Sequence, residues 1–194
     1  MLRESEHSLK ARAFQVLERV GIKASQRVLD FGCGSGTYTI PAAKIVGNRG
    51  KVYALDKDEG VLDDLMRTAD SAGLTNIERM DTAGGTQIAL ASGSVDAVLL
   101  FDVFHDYYFS SLDERQELLA EIYRILKSHG LLSVYPKHME TEAKDEIESA
   151  DFSLESERPA TLIHEGKNLE RGQILNFKKK LRQRAITDPA SKNP

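Results

Sequence analysis

The stretch VLDFGCGSGTY, Val28 to Tyr38, sets Asp30, Gly32, Gly34 and Gly36 on alternate positions. An apolar run precedes them and a helix-forming run follows, so the glycines fall where a strand must turn sharply into a helix. Without a Cβ the backbone can turn tightly there, and a ligand can approach the main chain. The helix N-terminus beyond the turn offers N–H groups that have no intrahelical partner. Twenty residues past Gly36, Asp56 ends a second apolar run, Lys51 to Leu55. A carboxylate in that place can accept hydrogen bonds from both hydroxyls of a ribose, each contributing on the order of 1.5–3 kcal/mol. A strand, a glycine turn and a distal acid describe nucleotide and nucleoside sites in general. The glycine spacing narrows the choice. A dinucleotide fingerprint sets its third glycine three residues after the second, whereas the pattern here is Asp-x-Gly-x-Gly-x-Gly. Asp30, ahead of the first glycine, would repel a pyrophosphate and can help orient a cationic amino-acid moiety.

Three other groups compete for a chemical role. In FDVFHDYYF, Phe101 to Phe109, the catalytic candidates are His105, Asp106 and Tyr107: His105 and Asp106 could remove a proton, and the aromatics could line a substrate pocket. His105 could equally pack against or cap the following loop. Cys33 invites comparison with a nucleophile, but its place inside the glycine turn suits a small, tolerated side chain. Lys178, Lys179, Lys180, Arg182 and Arg184 form a basic run. Such a run reads as a solvated strand end and tail, or as a contact for an anionic substrate or RNA.

These residues need elements to hold them. Leu9, Ala13, Val16, Leu17 and Val20 recur at helical spacing, which predicts a helix over 5–21 ending at Gly21. Val28 to Phe31 predicts a strand, and Thr37 to Val46 a helix with Pro41 near its start. Lys51 to Leu55 predicts a second strand, Gly60 to Ala72 a helix stopped by Gly73, and Ile77 to Met80 a third strand. A small, polar connection over Thr82 to Ser94 leads to Ala97–Phe101, apolar throughout as in a strand buried on both faces. Leu118, Leu119, Ile122, Ile125 and Leu126 predict a further helix, closed by Gly130, and Leu131 to Tyr135 a fifth strand. Alternation of this kind implies parallel strands joined by right-handed crossovers, with helices on both faces. SLESE and QILNFKK read as a terminal antiparallel pair at the sheet edge. The expected unit is one domain over 1–185, with a fraying tail over 186–194.

With these motifs in order, the chain resembles the Rossmann-like, class I S-adenosylmethionine-dependent methyltransferases, most clearly from Val28 to Tyr135. LDFGCGSG resembles their first motif, VYALD their ribose-binding acid, and IERMDT the segment that reaches the adenine. SVDAVLLFDVFHD is similar to their fourth-strand motif, and ILKSHGLLSVYP to the helix, turn and strand beyond it. The flavour is that of the small-molecule, quinone-biosynthesis branch. The resemblance implies a doubly wound, mostly parallel seven-stranded α/β sheet with an antiparallel C-terminal edge strand. It also implies S-adenosylmethionine as cofactor and S-adenosylhomocysteine as product. By the same resemblance Asp30, Phe31, Gly32, Cys33, Gly34 and Gly36 lie at the methionine part, and Asp56 holds the ribose with Lys57 beside the adenine. Asp81 and Thr82 read the adenine edge, and Phe101 and Asp102 sit near the sulfonium.

No Asn/Asp-Pro-Pro-Tyr/Phe follows the fourth strand, which argues against base-amino methylation of DNA. No cysteine follows it either, which argues against carbon-5 methylation of pyrimidines, and the cysteine cluster of arsenic methylation is missing. A small-molecule or lipid-like acceptor is the expectation. The alternative is a non-catalytic S-adenosylmethionine-binding regulator or scaffold. The chain's 194 residues, 41% hydrophobic and 29% charged, can bury a core without staples. A net charge of −4 argues against broad nucleic-acid binding. One cysteine and five scattered histidines predict no bound metal. The charged N-terminus and the short apolar runs predict no signal peptide, no membrane span and a cytoplasmic setting.

Overall fold

In the computed structural model, which describes residues 6–137, 139–164 and 168–180, the apolar runs of the first half become parallel strands. The elements follow in the order α1 (Glu6–Val20), β1 (Arg27–Phe31), α2 (Thr39–Val46), β2 (Lys51–Asp56), α3 (Glu59–Ser71), β3 (Ile77–Asp81) and β4 (Val95–Phe101). After them come α4 (Leu112–Ile125), β5 (Leu126–Tyr135), α5 (Glu140–Ser149), β6 (Phe152–His164) and β7 (Asn168–Lys179). The sheet has seven strands in the order β3-β2-β1-β4-β5-β7-β6. The first five are mutually parallel, and β7 is antiparallel to both of its neighbours. The C-terminal pair therefore lies at the expected end of the sheet. Its last strand is inserted, however, and leaves the longer β6 at the edge.

Side-chain alternation along the strands divides the core in two. Val28, Val52, Ala54, Ala97 and Leu99 face α1, α2 and α3. Leu29, Leu55, Val98, Leu100 and Leu132 face α4, α5 and Ile88 of the long β3–β4 connection. Such near-continuous apolar strands are what a parallel sheet covered on both faces requires. Local signals set the helix starts. Asp58 caps α3 by accepting from the Val61 N–H at 3.1 Å. Ser111 and Glu114 form a reciprocal capping box at the start of α4.

Two expectations need correction. Gly130 does not close a helix. Helix α4 ends at Ile125, and Leu126 already pairs with Val95 while Leu131 pairs with Ala97, so residues 127–130 form a bulge within β5. Gly130 suits the bulge because a Cβ there would stand 3.0 Å from the Lys127 carbonyl oxygen. Helix α5 was not predicted at all. Among the described side chains of this helix only Ala143 and Ile147 are fully buried, too few for a helical period to stand out from ETEAKDEIES.

The basic run is structural as far as it is described. Lys178 Nζ donates to the His129 carbonyl, Lys179 Nζ to that of Leu126 and Lys180 Nζ to that of Glu148, at 2.7–3.0 Å. Lys179 also sits 4.1 Å from the centroid of the Tyr123 ring, and burial lowers its pKa. Arg182, Arg184 and the 186–194 tail lie outside the described residues. Among the described residues no helix is long and apolar enough to cross a membrane.

Because Ile147 is fully buried, Ile147→Ala should cost about 2–5 kcal/mol in urea denaturation. A loss below about 1 kcal/mol would mean that α5 contributes little to the core.

Candidate active site

The carboxyl ends of β1 to β4 surround one cleft of about 160 Å3. It lies where the chain, having laid β2 and β3 to one side of β1, crosses to β4 on the other, the place where open α/β sheets bind ligands. Phe31, Gly32 and Gly34 line it from the first turn, and Leu55, Asp56 and Lys57 from the end of β2. Thr82, Gly84 and Gly85 contribute from beyond β3, and Asp102, Val103, Tyr108 and Phe109 from beyond β4.

The glycine turn is fastened to β2. The Gly32 and Cys33 N–H groups both donate to the Leu55 carbonyl, at 2.8 and 3.0 Å. The Gly34 N–H donates to Asp56 Oδ2 at 2.9 Å, and the Asp58 N–H to Asp56 Oδ1 at 3.1 Å. Gly36 has φ +83°, and a Cβ there would overlap Leu65 Cδ1, so this glycine seats the turn against α3. Gly34 has φ +51°, and a Cβ on it would meet no other atom within 4 Å. Its main chain therefore stands open on that side.

Asp30 lies beneath the turn, buried, and accepts from Thr39 Oγ1 at 2.6 Å. Burial pushes its carboxyl up to about 6, with the Thr39 hydrogen bond pulling down and the nearby Asp56 charge pushing up again. The same burial, with Asp30 and Asp56 close by, drives the Cys33 thiol well above its ordinary range. A thiol kept protonated in this way is a poor nucleophile, in keeping with a tolerated small side chain.

The predicted residues do not all reach the cleft. Asp56, Lys57, Thr82 and Asp102 line it together with Phe31, Gly32 and Gly34, while Asp30, Cys33, Gly36 and Phe101 support it from behind. Phe101 packs edge-on against Tyr38 with ring centroids 4.9 Å apart, and the Tyr38 hydroxyl accepts from the Ile163 N–H at 2.9 Å. Asp81 is directed elsewhere: Arg79 holds its carboxylate at 2.6–3.0 Å, bridges it to Asp63, and lowers its pKa. Thr82 therefore reaches the cleft while the Asp81 side chain forms none of its wall.

In the loop after β4, His105, Asp106 and Tyr107 are also not among the lining residues. His105 Nδ1 accepts from the Tyr107 N–H at 3.2 Å and its carbonyl accepts from the Tyr108 and Phe109 N–H groups, so it caps a local turn. Tyr107 is 84% exposed. Tyr108, one of the aromatics expected to line a pocket, forms part of the wall and lies 5.3 Å from Lys57 Nζ, measured to its ring centroid. Gly84 and Gly85 were missed, although the Gly-Gly pair three residues after Asp81 marks a place where main chain can approach a ligand. Asp102 has φ +59°, a strained value for a residue other than glycine. Such strain collects at functional sites.

The cleft can be tested for a nucleoside with a cationic side arm. The Asp56 carboxylate offers about four acceptor directions and spends two on Gly34 and Asp58, leaving capacity for a diol. The open main chain at Gly34, the acidic groups Asp56 and Asp102, and the apolar Val103, Tyr108 and Phe109 complete a donor set that fits S-adenosylmethionine. Fold and cleft together define the class I, S-adenosylmethionine-dependent methyltransferases.

Comparison with known proteins agrees. The model of the methyltransferase domain family matches residues 28–130, more than half of the chain, and the chain belongs to that family. It is similar to a "Probable cobalt-precorrin-6B C(15)-methyltransferase (decarboxylating)" of Saccharolobus solfataricus, 29% identical over 128 residues, covering 64% of this chain and 59% of the relative. A demethylmenaquinone methyltransferase of Geobacillus stearothermophilus is 27% identical over 116 residues, covering 60% and 47%. The chain thus spans about half the length of these curated relatives. A solved S-adenosylmethionine-dependent methyltransferase from Aquifex aeolicus shares the fold with a TM-score of 0.70 at 22% identity, covering 91% of this chain and all of that one.

The Asp30 carboxyl titrates near 6 in the folded chain against an ordinary 3.8, so its neutral form is favoured by folding. That stabilising contribution is complete below about pH 4 and is lost as pH rises through about 6. Measured against Asp30→Asn, which stays neutral, the parent should lose on the order of 3 kcal/mol between pH 4 and 7. A difference that stays flat across this range would contradict the assignment.

Proposed function

We propose that the protein transfers a methyl group from S-adenosylmethionine to a small-molecule acceptor. The observation that carries this reading is Asp56, which ties down the glycine turn and retains acceptor capacity facing the cleft. When bound, the cofactor supplies an activated methyl group on a sulfonium. Asp56 would accept from the ribose hydroxyls, while Lys57 and Thr82 flank the adenine. Phe31, Gly32 and Gly34 would hold the methionine part, with Asp102 nearest the reacting centre. Val103, packed on Gly32, and Phe109, beside Phe31, would help exclude water together with Tyr108. With the donor already activated, the chain's main task is alignment, which can supply roughly 7–11 kcal/mol. A dedicated general base is therefore optional. The relatives named for precorrin and demethylmenaquinone support a small-molecule acceptor.

The test is calorimetric titration of the purified protein with S-adenosylmethionine, S-adenosylhomocysteine and a nicotinamide dinucleotide, repeated on Asp56→Ala. The first two should bind and the third should not. Asp56→Ala should weaken binding by at least about tenfold, the equivalent of one lost charge-assisted hydrogen bond. A folded parent that binds neither sulfur compound would overturn the reading. Transfer of a labelled methyl group to candidate acceptors then separates catalysis from a binding-only scaffold.

A further inference from the structure

Helix α4 carries two guanidiniums that reach beyond the helix to the two loops forming the outer wall of the cleft. Arg115, 8% exposed, donates from Nη1 to the Phe109 carbonyl at 2.8 Å. Its Nε and Nη2 donate to the two carboxylate oxygens of Glu146, at 2.7 and 2.9 Å. Nine residues further on, Arg124 donates from Nη1 to the Leu90 carbonyl at 2.7 Å and from Nη2 to that of Ile88 at 2.9 Å. Arg124 also holds Glu121 through Nε and Nη2, both at 2.8 Å, while the Ile88 N–H donates back to Glu121 at 3.2 Å.

The arrangement repeats. In each case a planar fork takes a carboxylate on one side and main-chain carbonyls of an irregular loop on the other. Arginine alone has the donors for this, because a lysine ammonium cannot present two parallel N–H groups to a carboxylate and still reach sideways to a carbonyl. The loops are irregular: residues 82–94 replace a helix between β3 and β4, and 102–111 hold a local turn, with Ile88 buried in the first and Val103, Phe104 and Phe109 in the second. Yet these two loops supply seven of the thirteen residues lining the cleft. We propose that Arg115 and Arg124 are positioning residues for the methyl donor, each fixing one loop of the outer wall before the donor arrives. This rests on the proposed use of the cleft. Preorganisation of this kind shows in affinity, because a loop already in place need not be ordered on binding.

The experiment compares the full chain with Arg115→Gln, Arg124→Gln and Leu17→Ala, the last a core truncation on the opposite face of the sheet. Three quantities are read: the thermal midpoint, the Kd for S-adenosylmethionine, and amide hydrogen exchange in the ligand-free protein. Both arginine variants should raise Kd by about tenfold. Exchange should quicken over 103–110 alone in Arg115→Gln and over 82–90 alone in Arg124→Gln. Leu17→Ala should lower the midpoint and leave Kd within about twofold. A Kd that follows the midpoint in all three variants, or exchange that quickens uniformly, would reduce the pairs to ordinary stabilising contacts and overturn the proposal. If Arg115→Gln does not fold, Arg115→Lys, which keeps a charge facing Glu146, is read by the same criteria. A parent that fails to bind the donor would refute the proposed function instead, and the loop-specific exchange would still decide the positioning.

Discussion

Three N–H groups of the β1–α2 turn cross to the neighbouring strand: Gly32 and Cys33 to the Leu55 carbonyl, and Gly34 to the Asp56 carboxylate. The turn is therefore placed by β2 as much as by the strand it leaves. Its position depends on the parallel register that sets Phe31 beside Leu55. A slip of one residue would send each side chain of β1 to the other face of the sheet and take Asp56 away from Gly34. Asp56 is consequently a structural acceptor first, and whatever capacity it offers a ligand is what the turn leaves over.

The same fastening gives the cleft two unlike walls. One is main chain and carboxylate, with Asp30 buried beneath it and Asp56 and Asp102 at its surface. The other is Val103, Tyr108 and Phe109, apolar and fixed to α4. A ligand that is cationic at one end and has a flat, weakly polar ring at the other satisfies both walls. Two buried or half-buried acids close together are costly when both are ionised and the site is empty. A bound cation offsets that cost, so the electrostatic penalty in the free protein favours the charged ligand.

The parallel half of the fold was legible because each strand there is apolar end to end and each helix has a buried stripe. The glycine turn and Asp56 were legible because their spacing leaves few alternatives. Other features were written in the sequence more faintly. Ser111-Leu112-Asp113-Glu114 is a capping-box signature that marks the start of α4, and Gly84-Gly85 marks the close approach beyond β3. What spacing does not encode is where a side chain spends its hydrogen bonds. Asp81 occupies the expected register position beside Asp56 but turns to Arg79, a partner two residues back on its own strand. His105, open to reading as a base or as a cap, caps a turn, while Tyr108, three residues on, takes the wall. Arg115 and Glu146 meet across 31 residues of chain, through a helix whose own pattern is nearly silent.

The edge of the sheet has a different significance. Strand β6 runs thirteen residues along the outside, long enough to serve as a template for a strand from another molecule. Midway along it Glu155, Glu157, Arg158 and Pro159 are all exposed. The proline cannot donate a hydrogen bond to a newcomer, and the charges would have to be desolvated or matched. By this combination the chain can keep a long strand at its border and still resist edge-to-edge aggregation.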